Sequence, residues 1–262
     1  MKFFYIKRNI KLLLKLFSFL VILFLLASEH KLFQSKEYEE DNFFKIFDGE
    51  TLDGWEGDPT YWRVENGTIV GEVTEETLLD RNSFLIWRGG LTRDFEIKVE
   101  YRVSEEGNSG INYRSQEVEG VPYALRGYQA DLDGQNRYTG MNYEERRRTT
   151  IAARGEKVLL PDISDADSLN KYIDRNQWVA RIIRESLGEP DSLLTNINEG
   201  WNDYHIIAKG NRLKHYVNCE LMSDVTDEDT INRRFEGLLG VQVHVGPPMK
   251  VEYRNFRIKK SR

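Results

Sequence analysis

From Phe43 onward the chain is written in short segments that alternate apolar and polar residues and stop at turn-forming residues, the pattern of half-buried β-strands. The clearest runs over Phe95–Val103, where Phe95, Ile97, Val99, Tyr101 and Val103 share one face. Trp62–Glu65, ahead of Asn66-Gly67, and residues 68–71, 111–114, 127–133, 204–208, 213–217, 239–245 and 251–258 read the same way. Lys209-Gly210-Asn211-Arg212 marks one hairpin turn and Asn218-Cys219 a second, less typical one. Many strands at this spacing, with no strand–helix–strand rhythm, predict an all-β sandwich or jelly roll. Residues 161–200 break the pattern as an insertion. Within it, residues 165–185 predict a short helix capped by Ser164 or Asp165, and an insertion of this length suits a pocket rim.

The first 28 residues differ from the rest. They hold five basic side chains and no acidic one, followed by a 12-residue apolar stretch at 16–27 broken only by Ser18. That stretch is short of the roughly 20 residues of a spanning helix. A basic start, a short apolar run and small residues at Ala27 and Ser28 predict a secretory signal peptide, with an uncleaved anchor as the alternative. Residues 29–42 form a charged linker, and 43–262 a single domain. The overall charge of −6 therefore averages a +5 leader and an acidic remainder of −11, with 32 basic against 43 acidic side chains. Such a balance argues against a nucleic-acid partner, and the membrane enters only through the leader. The single cysteine excludes a disulfide framework and a multi-cysteine zinc site.

Strand alternation also sorts the polar residues. Asn112 and Arg114 face away from Ile111 and Tyr113; Gln129 and Asp131 away from Tyr128, Ala130 and Leu132; Gln242 and His244 away from Val241 and Val243. Amide, guanidinium, carboxylate and imidazole groups gathered on one face are those that bind sugar hydroxyls, whereas a plain solvent face is richer in Thr, Lys and Glu. Glu145, in the run Tyr143-Glu144-Glu145-Arg146-Arg147, is a further acid candidate, or part of a solvated charge run. Asn108 can orient a ligand or cap a turn, and Tyr138 can stack on a sugar ring or stand exposed. His205 and His215 read as structural, as do Trp55, Trp62 and Trp87. The sequence requires no cofactor. It leaves room for a divalent cation held by Asp131, His244 and a third residue, but no EF-hand loop is present.

Eight or more segments in order resemble the 3-keto-disaccharide hydrolase domain family, formerly domain of unknown function 1080. They include Phe47-Asp48-Gly49-Glu50-Thr51-Leu52-Asp53-Gly54-Trp55, Asn82-Ser83-Phe84-Leu85-Ile86-Trp87, Gly107-Asn108-Ser109-Gly110-Ile111, Gly127-Tyr128-Gln129-Ala130-Asp131, Trp201-Asn202-Asp203-Tyr204 and Val243-His244-Val245-Gly246-Pro247-Pro248-Met249. Asn218-Cys219 departs from it, since the family usually has Asn-Gly there, which puts the turn type in question.

The resemblance implies a concanavalin A-like jelly roll and cleavage of 3-keto-glycosides. In such a substrate the proton at C2 is acidified, and its removal expels the C1 substituent. That chemistry asks for a base (Asp131 or His244), an acid (Glu145) and an enolate stabiliser (Arg114 or a cation), with Asn108, Asn112, Gln129, Tyr138 and Gln242 left to hold the carbohydrate. Direct hydrolysis by Asp131 and Glu145 is the other chemical route, and a non-catalytic lectin-like module the other function.

Overall fold

The computed structural model describes residues 42–260 except Ser164 and Ala166, so the leader, nearly all of the linker and the Ser164 cap lie outside the described residues. The chain divides into Met1–Phe44 and Lys45–Arg262, and the second unit carries everything below. It is a sandwich of two large, mostly antiparallel sheets, the all-β architecture expected. One runs Ile182–Ser186, Glu156–Leu160, Glu220–Asp227, Arg212–Val217, Asn202–Lys209, Phe95–Val103, Met249–Lys260, Thr68–Val73 and Trp62–Glu65. The other runs Ile173–Asp174, Gln177–Trp178, Thr149–Ala152, Asn142–Glu145, Leu125–Asp133, Asn108–Glu117, Gly237–Val243, Ser83–Thr92 and Trp55–Glu56.

The alternation read from the sequence is the packing. Ile97, Val99 and Tyr101 of the first sheet meet Ile111, Tyr113, Tyr128, Ala130 and Leu132 of the second, all buried in one core. The larger aliphatic side chains among them each contribute about 1.5–3 kcal/mol of transfer free energy. Trp55, Trp62 and Trp87 belong to this core, and His215 lies fully buried in it. The imidazole of His215 is held between the Tyr113 hydroxyl on Nε2 (2.9 Å) and the Met141 carbonyl on Nδ1 (3.1 Å). His205 instead pairs with Glu96 on the outward face of the first sheet (3.1 Å).

The insertion is woven into both sheets. Ile182–Ser186 adds an edge strand to one, while Ile173–Asp174 and Gln177–Trp178 extend the other. It holds two five-residue helices, Pro190–Leu194 and Ser168–Tyr172, the latter with Asp167 rather than Asp165 at the N-cap. The Asp165 carboxylate pairs with Lys171 (2.6 Å) and also accepts from Asp167 N–H (2.9 Å), while Asp167 makes no side-chain capping bond. At the departure from the expected turn, Asn218 and Cys219 both take positive φ, 49° and 70°. That is the pattern a two-residue type I′ hairpin demands, so Cys219 accepts the strain and the turn survives.

Candidate active site

The second sheet turns its outer face into a concave surface that the chain itself divides. On one half, Phe84, Ile86 and Leu125 form a small apolar cluster. It is covered by the tip of the hairpin joining Asn108–Glu117 to Leu125–Asp133, where the Tyr123 carbonyl accepts from Phe84 N–H (2.9 Å). The other half stays open as a cavity of about 420 Å³. Its floor is Gln129 and Asp131, neighbours on one strand face, and its walls are Glu145 and Tyr143 from the next strand, His244 after Gly237–Val243, and Asn82 before Ser83–Thr92. Asn176, at the tight turn of the insertion, completes the rim and accepts from the Tyr143 hydroxyl (3.2 Å).

Gly110 shapes the floor. It sits opposite Asp131 in the ladder, and a Cβ there would lie 2.4 Å from Gln129 Cδ. The missing side chain lets Gln129 lie across the sheet, where its Nε2 donates to Asp131 Oδ1 (2.5 Å) while its Oε1 accepts from Gln242 Nε2 (3.1 Å). Gln242 thus stands behind Gln129 and orients it. A parallel link runs along the wall: Asn82 Nδ2 donates to Glu145 Oε1 (3.2 Å), and Asn82 Oδ1 accepts from Val245 N–H (2.9 Å). Asn82 therefore ties the His244 segment to Glu145.

Burial sets the electrostatics. It pushes the Asp131 carboxyl well above the usual carboxylate range, opposed by the Gln129 hydrogen bond and reinforced by Glu145 and Asp133. That is the direction of a proton donor rather than a base. With Oδ1 engaged by Gln129, Oδ2 is the oxygen left to hold a proton. Glu145 is also raised by burial, against the pull of Asn82 and Arg146. Burial lowers His244, so its ring is neutral near pH 7. Its Nδ1 faces the Val245 carbonyl, which can only accept; Nδ1 carries the hydrogen and Nε2 is left as the acceptor.

Of the expected residues, Asn108, Gln129, Asp131, Tyr138, Glu145 and His244 converge on the cavity. Asn108 makes no side-chain hydrogen bond within the chain, and Tyr138 carries the Arg137 guanidinium 5.5 Å from its ring centre. Three do not line it. Asn112 is fully buried beneath the sheet face, its amide without a hydrogen-bond partner. Gln242 acts only through Gln129. Arg114 is 1% exposed and bonded to the carbonyls of Arg93, Gly210 and Arg234 and to Asp94. A ladder irregularity after Tyr113 and a φ of 46° at Arg114 break the alternation that predicted otherwise. The guanidinium that reaches the cavity is that of Arg146, 3.7 Å from Glu145. Tyr143 carried a usable signal, since it stands two residues before Glu145 on the same strand face. Asn82 opens a segment that entered the sequence reading only through the family resemblance. Thr150 and Asn176 had none. Among the described residues no group of three His, Cys, Asp or Glu is arranged to hold a metal.

A jelly-roll sandwich with carboxyls, amides and an imidazole converging in its concave sheet defines a carbohydrate-active protein of the glycosyl hydrolase-like kind. Comparison with known proteins narrows this. The model of the 3-keto-alpha-glucoside-1,2-lyase-like domain matches residues 42–259, and the chain belongs to that family. A 3-keto-disaccharide hydrolase of Bacteroides thetaiotaomicron is 37% identical over 87 residues. The match covers 30% of this chain and spans only 30% of that relative's length. Two solved structures from Parabacteroides distasonis, both described as candidate glycosyl hydrolases, share the fold. One is 19% identical, covering 86% of this chain and 97% of that one at a TM-score of 0.54. The other is 11% identical, covering 84% and 99% at 0.51.

Proposed function

We propose that the protein is exported and cleaves 3-keto-glycosides in this cavity by elimination followed by hydration. The observation that carries the reading is the pairing of a neutral imidazole, its Nε2 free to accept, with a buried carboxyl biased toward its protonated form. In this reading Nε2 of His244 takes the proton from C2, the C1–O bond breaks, and Asp131 gives its proton to the departing oxygen. Arg146 stabilises the charge that gathers on the 3-keto oxygen. Water then adds across C1 and C2: its hydroxyl bonds to C1 as Glu145 takes its proton, His244 returns the abstracted proton to C2, and the proton on Glu145 passes through solvent to restore Asp131. Gln129, Asn108 and Asn176 present amides to the ring hydroxyls.

The test is release of 4-nitrophenol from 4-nitrophenyl 3-keto-α-glucopyranoside, with the unoxidised glucoside as control. Turnover of the keto sugar alone, slowed by deuterium at C2, is the expected result. Equal rates on both glycosides, or no isotope effect with His244→Ala fully active, would replace elimination by direct hydrolysis. Binding of the sugar without turnover would leave a lectin-like module.

A further inference from the structure

A second cavity, of about 410 Å³, opens where the ends of Phe95–Val103 and Leu125–Asp133, one strand from each sheet, meet the start of Asn202–Lys209, and it shares no residue with the first. Tyr101 lies at its base, 2% exposed, and its hydroxyl has no hydrogen-bond partner. A buried hydroxyl left unpaired costs about 1–3 kcal/mol unless something outside the chain supplies a partner. Around it stand Glu105, Glu199 and Asn136, whose side chains make no hydrogen bond or ion pair within the protein. Val103 and Ile197 add an apolar patch. No Lys, Arg or His lines the cavity among the described residues.

These groups select a ligand class. Free carboxylates and an amide want hydroxyl donors, the orphan phenol wants a partner of either sense, and the aliphatic patch suits the C–H face of a ring. An anionic ligand would meet Glu105, Glu199 and Asp133 with no cation on the wall. The cavity is also fixed in place. Gly134 is pressed so closely on the backbone of Ser104 and Glu105 that a Cβ would lie 2.0 Å from the Ser104 carbonyl oxygen. The buried Asp133 carboxylate accepts the N–H groups of Arg137 (3.1 Å), Tyr138 (2.8 Å) and Thr139 (3.2 Å). Residues 134–140 therefore form a rigid partition, with Asn136 on one side and Tyr138 on the other.

We propose that this second cavity is an accessory site for a neutral saccharide ring, with the Tyr101 hydroxyl as its deepest contact. The site is distinct from the reacting cavity, so its occupancy does not depend on turnover. The experiment is a titration of the ¹⁵N-labelled chain with methyl α-D-glucopyranoside, following the amides of Gly134 and Gly200, both in the cavity wall. They are expected to shift with the same midpoint in wild type and in His244→Ala, and glucuronate is expected to bind at least tenfold more weakly. Tyr101→Phe removes only the unpaired hydroxyl, so the fold is retained and its thermal midpoint does not fall, while the affinity read at these amides drops about three- to tenfold. Glu199→Gln provides a second, surface-level variant with a loss of the same direction. Gly134 and Gly200 amides that stay fixed in the titration, or a Tyr101→Phe midpoint equal to wild type, would overturn the proposal.

Discussion

Glu144 and Glu145 are consecutive residues on one strand, and the sheet sends them to opposite faces with opposite fates. Glu144 points into the sandwich, fully buried, where its carboxylate meets Arg148 (2.5 Å) and Arg147 (3.1 Å). Arg148 continues to Asp227 (2.6 Å) and Asp229 (3.4 Å), bridging the two sheets, and the Tyr128 hydroxyl donates to Asp227 (2.6 Å). Glu145 points outward, where its neighbours are the Asn82 amide and, at longer range, Arg146. What looks like one run of charge is a closed interior cluster and an open one that lines the cavity. The difference lies in the partners. Guanidinium groups saturate a carboxylate and fix its charge, whereas amides orient a carboxyl and leave its proton free to move.

The comparison can be broken from either side. On the open side, Asp131→Asn is expected to lower kcat/KM on a 3-keto-glucoside about 10²–10⁴-fold, and His244→Ala comparably. The same Asp131→Asn change should raise the thermal midpoint at pH 7. A raised folded pKa means that this group's contribution to stability is complete below its ordinary value of 3.8 and lost as pH rises through the folded value, so at neutral pH the buried carboxyl is a cost that the amide removes. On the closed side, Arg148→Met strands three buried carboxylates and is expected to destabilise by about 3–5 kcal/mol in denaturant melts. An unchanged stability would erase the distinction between the clusters.

Smaller effects sharpen it. His215, its pKa lowered to about 3 by burial, cannot take the proton that an unfolded chain accepts below about 6.5. Stability present above that pH should decline as pH falls from there toward about 3, and His215→Gln should flatten the decline. Asn82→Ala is expected to cost about tenfold in kcat/KM through loss of hydrogen bonds to Glu145 and Val245, and to move the pH limb set by Glu145 upward, because a bond that lowers its pKa is gone. Cys219→Gly should stabilise the hairpin by about 0.5–1 kcal/mol, measured by chemical denaturation, because glycine takes a φ of 70° without strain.

The period-2 pattern made most of the fold legible, since a strand with one face in a core must alternate. It also placed Gln129 and Asp131 on the face that lines the cavity and Ile111 and Tyr113 in the core. It failed at Arg114, where an irregular ladder and a positive φ reset which way a side chain points. Asn176 was out of reach for another reason: it enters the cavity only because the insertion pairs with a distant edge strand, a tertiary event without local signal. The division of labour between Glu144 and Glu145 needed the position of Asp227 and Asp229, some 80 residues on, before either could be assigned.

Gly110 has a consequence beyond its own position. A hydrogen where any other residue has a carbon makes a notch in the sheet, and the notch governs how low Gln129 lies and so where Asp131 is held. A residue with no functional group therefore sets the depth of the cavity. Among chains of this architecture, a side chain at this point would separate those that keep the sandwich from those that keep the site.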